Sequence, residues 1–185
     1  MGWAMAGVRV SSKGNIIRNI TVIGNSVGIY LAASRNTVDS NEVNDNYLGG
    51  IVSFSTSQNN LTRNLVLENG QAGILFIDSS NNSITGNNVS LNLGSGIKLF
   101  RSNRNDVSHN DVITNDYGID LSEANGNTIR ANTAINNDYG IYPYLSSANE
   151  IFNNTAYITI MPSTFIRRQA IMHGAITSRG MTQRG

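Results

Sequence analysis

The stretch from Gly73 to Asn92 reads Gly-Ile-Leu-Phe-Ile-Asp-Ser-Ser-Asn-Asn-Ser-Ile-Thr-Gly-Asn-Asn-Val-Ser-Leu-Asn. Its skeleton is a Gly-Ile start, a Ser/Asn turn, and then Asn82-x-Ile84, Asn87-x-Val89 and Asn92. The same skeleton recurs along the chain. The opening glycines are Gly7, Gly28, Gly50, Gly73, Gly96, Gly118 and Gly140, spaced by 21, 22, 23, 23, 22 and 22 residues. Three asparagine columns follow them, beginning at Asn15, Asn41 and Asn25, and between these run columns of Ile, Val and Leu. A fixed period of this length is the signature of a repeat architecture.

Each repeat holds three short apolar pieces that alternate with period two and are separated by Gly, Asn, Ser or Asp. That pattern marks strands. No stretch carries a helical period long enough for a crossover helix, which rules out a doubly wound α/β fold. A unit with three strands and three turns can coil once and stack on its successor. The expected fold is therefore all-β, a right-handed parallel β-helix of about seven coils over residues 1–156, followed by a basic non-repeat tail, 157–185. At a strand spacing of about 4.8 Å, seven coils stand roughly 30 Å tall. The asparagines are expected at corners, where Asn tolerates a left-handed backbone and can bond to its counterparts above and below.

The pattern Gly-Ile-x-Leu-x-x-Ser-x-x-Asn-x-Ile-x-x-Asn-x-Val, seen at Gly28–Val43 and Gly96–Val112, resembles the parallel β-helix repeats of the NosD-like and CASH (carbohydrate-binding and sugar hydrolase) families. The resemblance covers residues 7–156. It implies the β-helix fold, which in such families carries lyases, epimerases, adhesins and binding proteins alike. NosD-like relatives are linked to copper-enzyme maturation, yet no His/Met/Cys cluster with ligand spacing is present in this chain.

Composition narrows the possibilities further. Charged residues make up 14% of the 185, and the chain has 18 Gly, two Pro and no Cys. Disulfides, thiolate metal sites and cysteine nucleophiles are thereby excluded. Residues 1–156 carry nine basic and twelve acidic side chains, so the repeats lack the basic footprint of a nucleic-acid binder. No run of 18 apolar residues is present, so no membrane span is expected. The first residues do not read as a signal peptide, and the expected location is extracellular or at the cell surface. Five sequons occur, at Asn19, Asn60, Asn81, Asn88 and Asn153.

Candidate functional residues are those that depart from the repeat. Alternation along the first strand puts Arg9, Tyr30, Val52, Leu75, Lys98, Asp120 and Tyr142 outside in one column. Lys98 and Asp120 then form a surface ion pair of small weight, and Tyr30, Val52 and Leu75 make an exposed apolar patch for protein or sugar contact. The duplicated corners Asn115–Asp120 and Asn137–Tyr142 stack Asp116 on Asp138 and Tyr117 on Tyr139. Two carboxylates about 5 Å apart either share a cation, calcium being the fitting one, or raise one another's pKa. Tyr117-Gly118-Ile119-Asp120 is similar to a Tyr-Gly-Phe-Asp-Pro-His motif of alginate C5-epimerases, but Leu121 and Ser122 stand where the Pro-His would be. Arg101, Arg104, Asp106, His109 and Asp111 make the fifth coil the most charged and form a second candidate cluster. Pro143 falls in the last coil, where a residue without an N–H suits an edge strand.

The resulting expectation is a non-catalytic surface module. It would assemble with copies of itself through its ends and tail, as a homo-oligomer or filament, or bind carbohydrate along a long face. The rival is a lyase or epimerase acting on uronic-acid polymers, with Asp116, Asp120 and Asp138 or the fifth-coil cluster as its site.

Overall fold

A computed structural model describes residues 5–158. Residues 159–185 lie outside the described region, and with them nearly all of the basic tail, 157–185, whose expected role is to cap the last coil or contact another subunit. The described residues hold 21 strands and no helix, three strands to a coil. They form three seven-stranded parallel sheets, each built from one strand of every coil in order. The first strand of a coil is the long one, six residues in Gly49–Phe54, Ala72–Ile77 or Ser95–Phe100. The other two strands have three residues each, as in Ser83–Thr85 and Asn88–Ser90.

The apolar columns read from the sequence are the core. Ile29, Ile51, Ile74, Ile97 and Ile119 lie in register and are fully buried. The columns through Ile84 and Val89 pack against them, with Phe76 and Leu99 filling the remaining corner. Each such side chain contributes on the order of 1.5–3 kcal/mol by leaving water. The opening glycines have a steric cause. A Cβ at Gly50 would sit 2.6 Å from Val66 Cγ1 and 2.7 Å from the Gly73 carbonyl oxygen, so the first strand reaches its turn only where no side chain intervenes.

All three asparagine columns form ladders through the interior of the corners. Asn64 donates its backbone N–H to Asn87 Oδ1 at 2.9 Å, and its side-chain Nδ2 to the same oxygen at 2.9 Å. Asn87 repeats both bonds to Asn110. Nδ2 also reaches a strand carbonyl of an earlier coil, Val38 for Asn64 and Leu61 for Asn87. Each amide thus satisfies backbone groups that a tight corner would otherwise strand.

One expectation needs correcting here. The ladder asparagines do not take up the left-handed conformation; the residue before each does. Arg35, Arg63, Glu68, Leu91, His109 and Ala131 have φ between +53° and +61° and precede Asn36, Asn64, Asn69, Asn92, Asn110 and Asn132. The reason is geometric. A left-handed residue turns the chain so that the next side chain points into the lumen, where the amide finds its partners.

Candidate functional site

Three-residue strands leave little outer surface, whereas the six-residue strands of the first sheet give it a broad outer face. Its middle column holds Arg9, Tyr30, Val52, Leu75, Lys98, Asp120 and Tyr142 in unbroken register. The column changes character along the axis.

At the N-terminal end it is closed. Tyr30 is 6% exposed and Val52 1%, packed with Val27, Ala32, Leu48 and Leu75 in a cluster separate from the main core. The Arg9 guanidinium lies 5.3 Å from the centre of the Tyr30 ring. The exposed patch expected from Tyr30, Val52 and Leu75 is therefore part of a small outer core, and of those three residues Leu75 alone stays half-buried. Neighbouring outer columns supply the cover, and alternation within one strand does not reveal them.

Further along, the face opens into a groove of about 410 Å³. Ala72, Leu75, Ile77 and Phe100 give it an apolar wall, and Lys98, Asp120, Ser95 and Tyr117 supply the polar one. Lys98 Nζ donates to Asp120 Oδ2 at 2.6 Å. Ser95 Oγ reaches the same oxygen at 3.3 Å, and Ser122 Oγ donates to Asp120 Oδ1 at 2.7 Å. The Asp120 side chain is 5% exposed and that of Lys98 35%. The pair is thus no simple surface ion pair: the carboxylate is buried with both oxygens engaged, and it fixes the ammonium at the groove wall. An ammonium has three donors, so two of Lys98's remain for a hydroxyl or an anion.

From Tyr117 in the groove wall, a row of four tyrosines continues along the face. The Tyr117 and Tyr139 rings stack at 5.1 Å with 10° between their planes. Tyr142 lies tilted 5.2 Å from the first and 5.3 Å from the second. Tyr144 is parallel to Tyr142 at 6.1 Å. Ser95, Ser122, Phe100 and Tyr144 were not singled out from the sequence, although reading the two outer columns beside the Asp120 column would have found them.

The remaining candidates disperse. Asp116 and Asp138 occupy successive coils beside the tyrosines and are both exposed. Among the described residues no three His, Cys, Asp or Glu side chains converge as a cation site. The fifth-coil cluster is not a cluster, because its members face different ways round the coil. Arg101 pairs with Asp78 at 3.0 Å and lies 4.6 Å over Phe100 at the groove edge. Asp106 pairs with Arg130 at 3.0 Å on the second sheet. Arg104 and His109 sit exposed in left-handed turns, and Asp111 is exposed on the third sheet. All five sequon asparagines are exposed, unlike the buried ladder asparagines Asn59, Asn82 and Asn87 beside three of them. Among the described residues no helix is long and apolar enough to cross a membrane.

A solenoid with one wide outer face, grooved and rimmed with aromatic rings, defines a parallel β-helix protein whose surface chemistry is gathered on the first sheet. More particularly, the chain belongs to the right-handed β-helix region family, matched over residues 6–156. No curated protein matches the chain. Among solved structures it is similar to a double mutant of the periplasmic alginate epimerase AlgG, with 21% identity and a TM-score of 0.72 over 80% of this chain and 41% of that one. It is also similar to the enzymatically active domain of bacteriophage CBA120 tailspike protein 2, with 17% identity and a TM-score of 0.62 over 77% of this chain and 24% of that one. The Dettilon tailspike protein matches at 16% identity and a TM-score of 0.64, over 84% and 42%. At these identities the likeness is one of fold, and the chain spans less than half the length of each.

Proposed function

We propose that the outer face of the first sheet binds a polysaccharide, laid along the solenoid axis through the groove and against the tyrosines. The observation that carries this reading is the continuity of the two: Tyr117 lines the groove and also stacks on Tyr139. Sugar rings pair an apolar C–H face with a rim of hydroxyls. A concave apolar site with a few placed polar groups suits them, and tyrosine offers both ring and hydroxyl. Lys98 with its spare donors orients the chain, and Arg101 adds a second cation at the edge. The relatives' names, an alginate epimerase and tailspike proteins, support a polysaccharide as the ligand. Their description as periplasmic and as tailspikes supports a location outside the cytoplasm.

Binding without turnover is the reading favoured for this face. Asp120 is the carboxylate in the groove, and Lys98, Ser95 and Ser122 already engage it, which suits an anchor better than a base. The test is affinity electrophoresis and calorimetry against a panel of neutral and uronic polysaccharides. Tyr142→Ala and Lys98→Gln are each expected to weaken binding by about tenfold, and Tyr47→Ala, on an exposed turn, to leave it unchanged. The idea is lost if no polymer binds, or if Tyr142→Ala and Tyr47→Ala behave alike. The rival enzyme predicts new double-bond absorbance or epimerised residues on a uronate polymer, abolished by Asp120→Asn.

A further inference from the structure

We propose that the protein associates head to tail with copies of itself, the basic first coil of one copy seating on the acidic last coil of another. Leaving aside Arg167, Arg168, Arg179 and Arg184 of residues 159–185, the two terminal coils differ in charge. Residues 5–26 carry Arg9, Lys13 and Arg18 and no acid; the first acidic residue of the chain is Asp39. Residues 138–158 carry Asp138 and Glu150 and no base. All five of these side chains are exposed.

Both ends are also apolar. Ile16 is 66% and Ile23 58% exposed on the first coil, and Ile151 is 42%, Phe152 44% and Tyr157 55% exposed on the last. Of these, Ile151 belongs to a core column whose interior members Ile84, Val107 and Ile129 are fully buried between coils, while the other four stand on outward columns at the two rims. Each end further presents three strand edges, since every sheet begins with a strand of the first coil and ends with one of the last. Parallel strands keep their direction only when a first coil follows a last coil. Two first coils brought together would oppose three cations to three.

Placed as an eighth coil, the first coil of a second copy continues the columns already present. Its Ile17 falls on Ile151, its Arg18 beside Phe152 and diagonal to Glu150, and its Arg9 over Tyr142, as Arg9 lies over Tyr30 within one chain. The first asparagine ladder continues as well. Asn127 donates its backbone N–H to Asn149 Oδ1 at 2.8 Å, and the Asn149 N–H would meet Asn15 Oδ1 of the next copy in the same way. Asn15 donates twice to Asn36 Oδ1, while its own Oδ1 accepts from no described residue. Pro143 removes one donor from the first sheet, so the second and third sheets carry the pairing. A head-to-tail contact of this kind does not close, and it generates rods.

The experiment uses the full chain and charge exchange. Sedimentation velocity over a concentration series should show mass that grows with concentration and falls as salt screens the ends. One variant, Lys13→Glu with Arg18→Glu, makes both ends acidic; another, Asp138→Lys with Glu150→Lys, makes both ends basic. Each alone should associate at least about tenfold more weakly than the parent, because like charges then meet. Mixed in equal amounts, they should recover assembly. A parent that stays a single copy at every concentration overturns the proposal. So do variants that assemble as the parent does, because the contact then lies elsewhere. Cross-links in a single-copy species between residues 159–185 and the last coil would also overturn it, by making the chain's own segment the occupant. Sugar binding can survive any of these results, since the groove lies within one copy.

Discussion

Replacing Asn87 by alanine tests whether the ladders hold the coils together. Asn87 is 1% exposed, and its side chain makes four hydrogen bonds. Oδ1 accepts the backbone N–H and Nδ2 of Asn64, and Nδ2 donates to the Leu61 carbonyl at 3.0 Å and to Asn110 Oδ1 at 2.9 Å. Truncation leaves the Asn64 N–H, one Asn64 amide hydrogen and the Leu61 oxygen short of partners in a site closed to water. At roughly 1–3 kcal/mol for each stranded group, and allowing for relaxation, the loss should be about 3–6 kcal/mol. Asn15 gives the internal control. It stands at the end of its ladder and is exposed, and its side chain donates only to Asn36 Oδ1 and to Ser12 at the surface, so Asn15→Ala, which keeps the backbone bond to Asn36, should cost about 1 kcal/mol. The measurement is the urea midpoint by circular dichroism, joined to amide exchange at coils 3–5, since repeat arrays open locally. Equal costs at Asn87 and Asn15, or a loss at Asn87 under about 1 kcal/mol, would refute the reasoning.

Two further predictions concern backbone and charge. Ala131 holds φ +53° without a side chain that could justify it, so Ala131→Gly should raise stability by about 1 kcal/mol, read as a higher urea midpoint; a lower midpoint contradicts this. Asp39 accepts from Thr62 Oγ1 at 2.8 Å and pairs with Arg63 at 2.7 Å. The Thr62 hydrogen bond foremost, then Arg63, holds its carboxyl below the ordinary value against the opposing effect of burial. A depressed folded pKa means that this contribution is complete above the ordinary carboxylate range and is lost as pH falls through the folded value. Asp39→Asn should therefore be less stable than the parent at neutral pH and lose less on acidification below about pH 4; parallel stability curves for the two would contradict that.

What the sequence made legible was whatever seven coils repeat. Gly50, Ile74 and Asn87 each sit in a column of near-identical residues, and a column has one sensible place in a coil. What it hid was whatever depends on a residue of no special type or on a neighbour two columns away. The left-handed positions hold Arg63, Glu68, Leu91 and Ala131, and none of these announces a turn, because the corner is set by the amide that follows. Val52 looked exposed because strand alternation distinguishes lumen from exterior but does not say what covers the exterior. Asp120 looked solvated for the same reason. Its burial comes from Ser95 and Ser122, which stand in the flanking columns of that face.

The distribution of spare hydrogen-bonding capacity also explains why function should gather on the first sheet. A ladder asparagine spends its side chain on the coils above and below it, so the most conspicuous polar residues of the chain have little to offer a ligand. On the second and third sheets a three-residue strand gives two outward positions, interrupted at once by a turn. The first sheet alone has outward columns wide enough to differ from coil to coil, and they do so in order: sealed apolar packing at Tyr30 and Val52, the groove with its Lys98–Asp120 pair, and tyrosine rings from Tyr117 to Tyr144. A polymer lying along that face would meet three chemistries in a fixed sequence and could be held in one direction only. If copies join end to end, the direction is kept from one to the next, because the parallel strands that allow the joint also keep every groove pointing the same way. Sugar binding and assembly, proposed from separate observations, would then reinforce each other by avidity along a rod that presents one groove per copy.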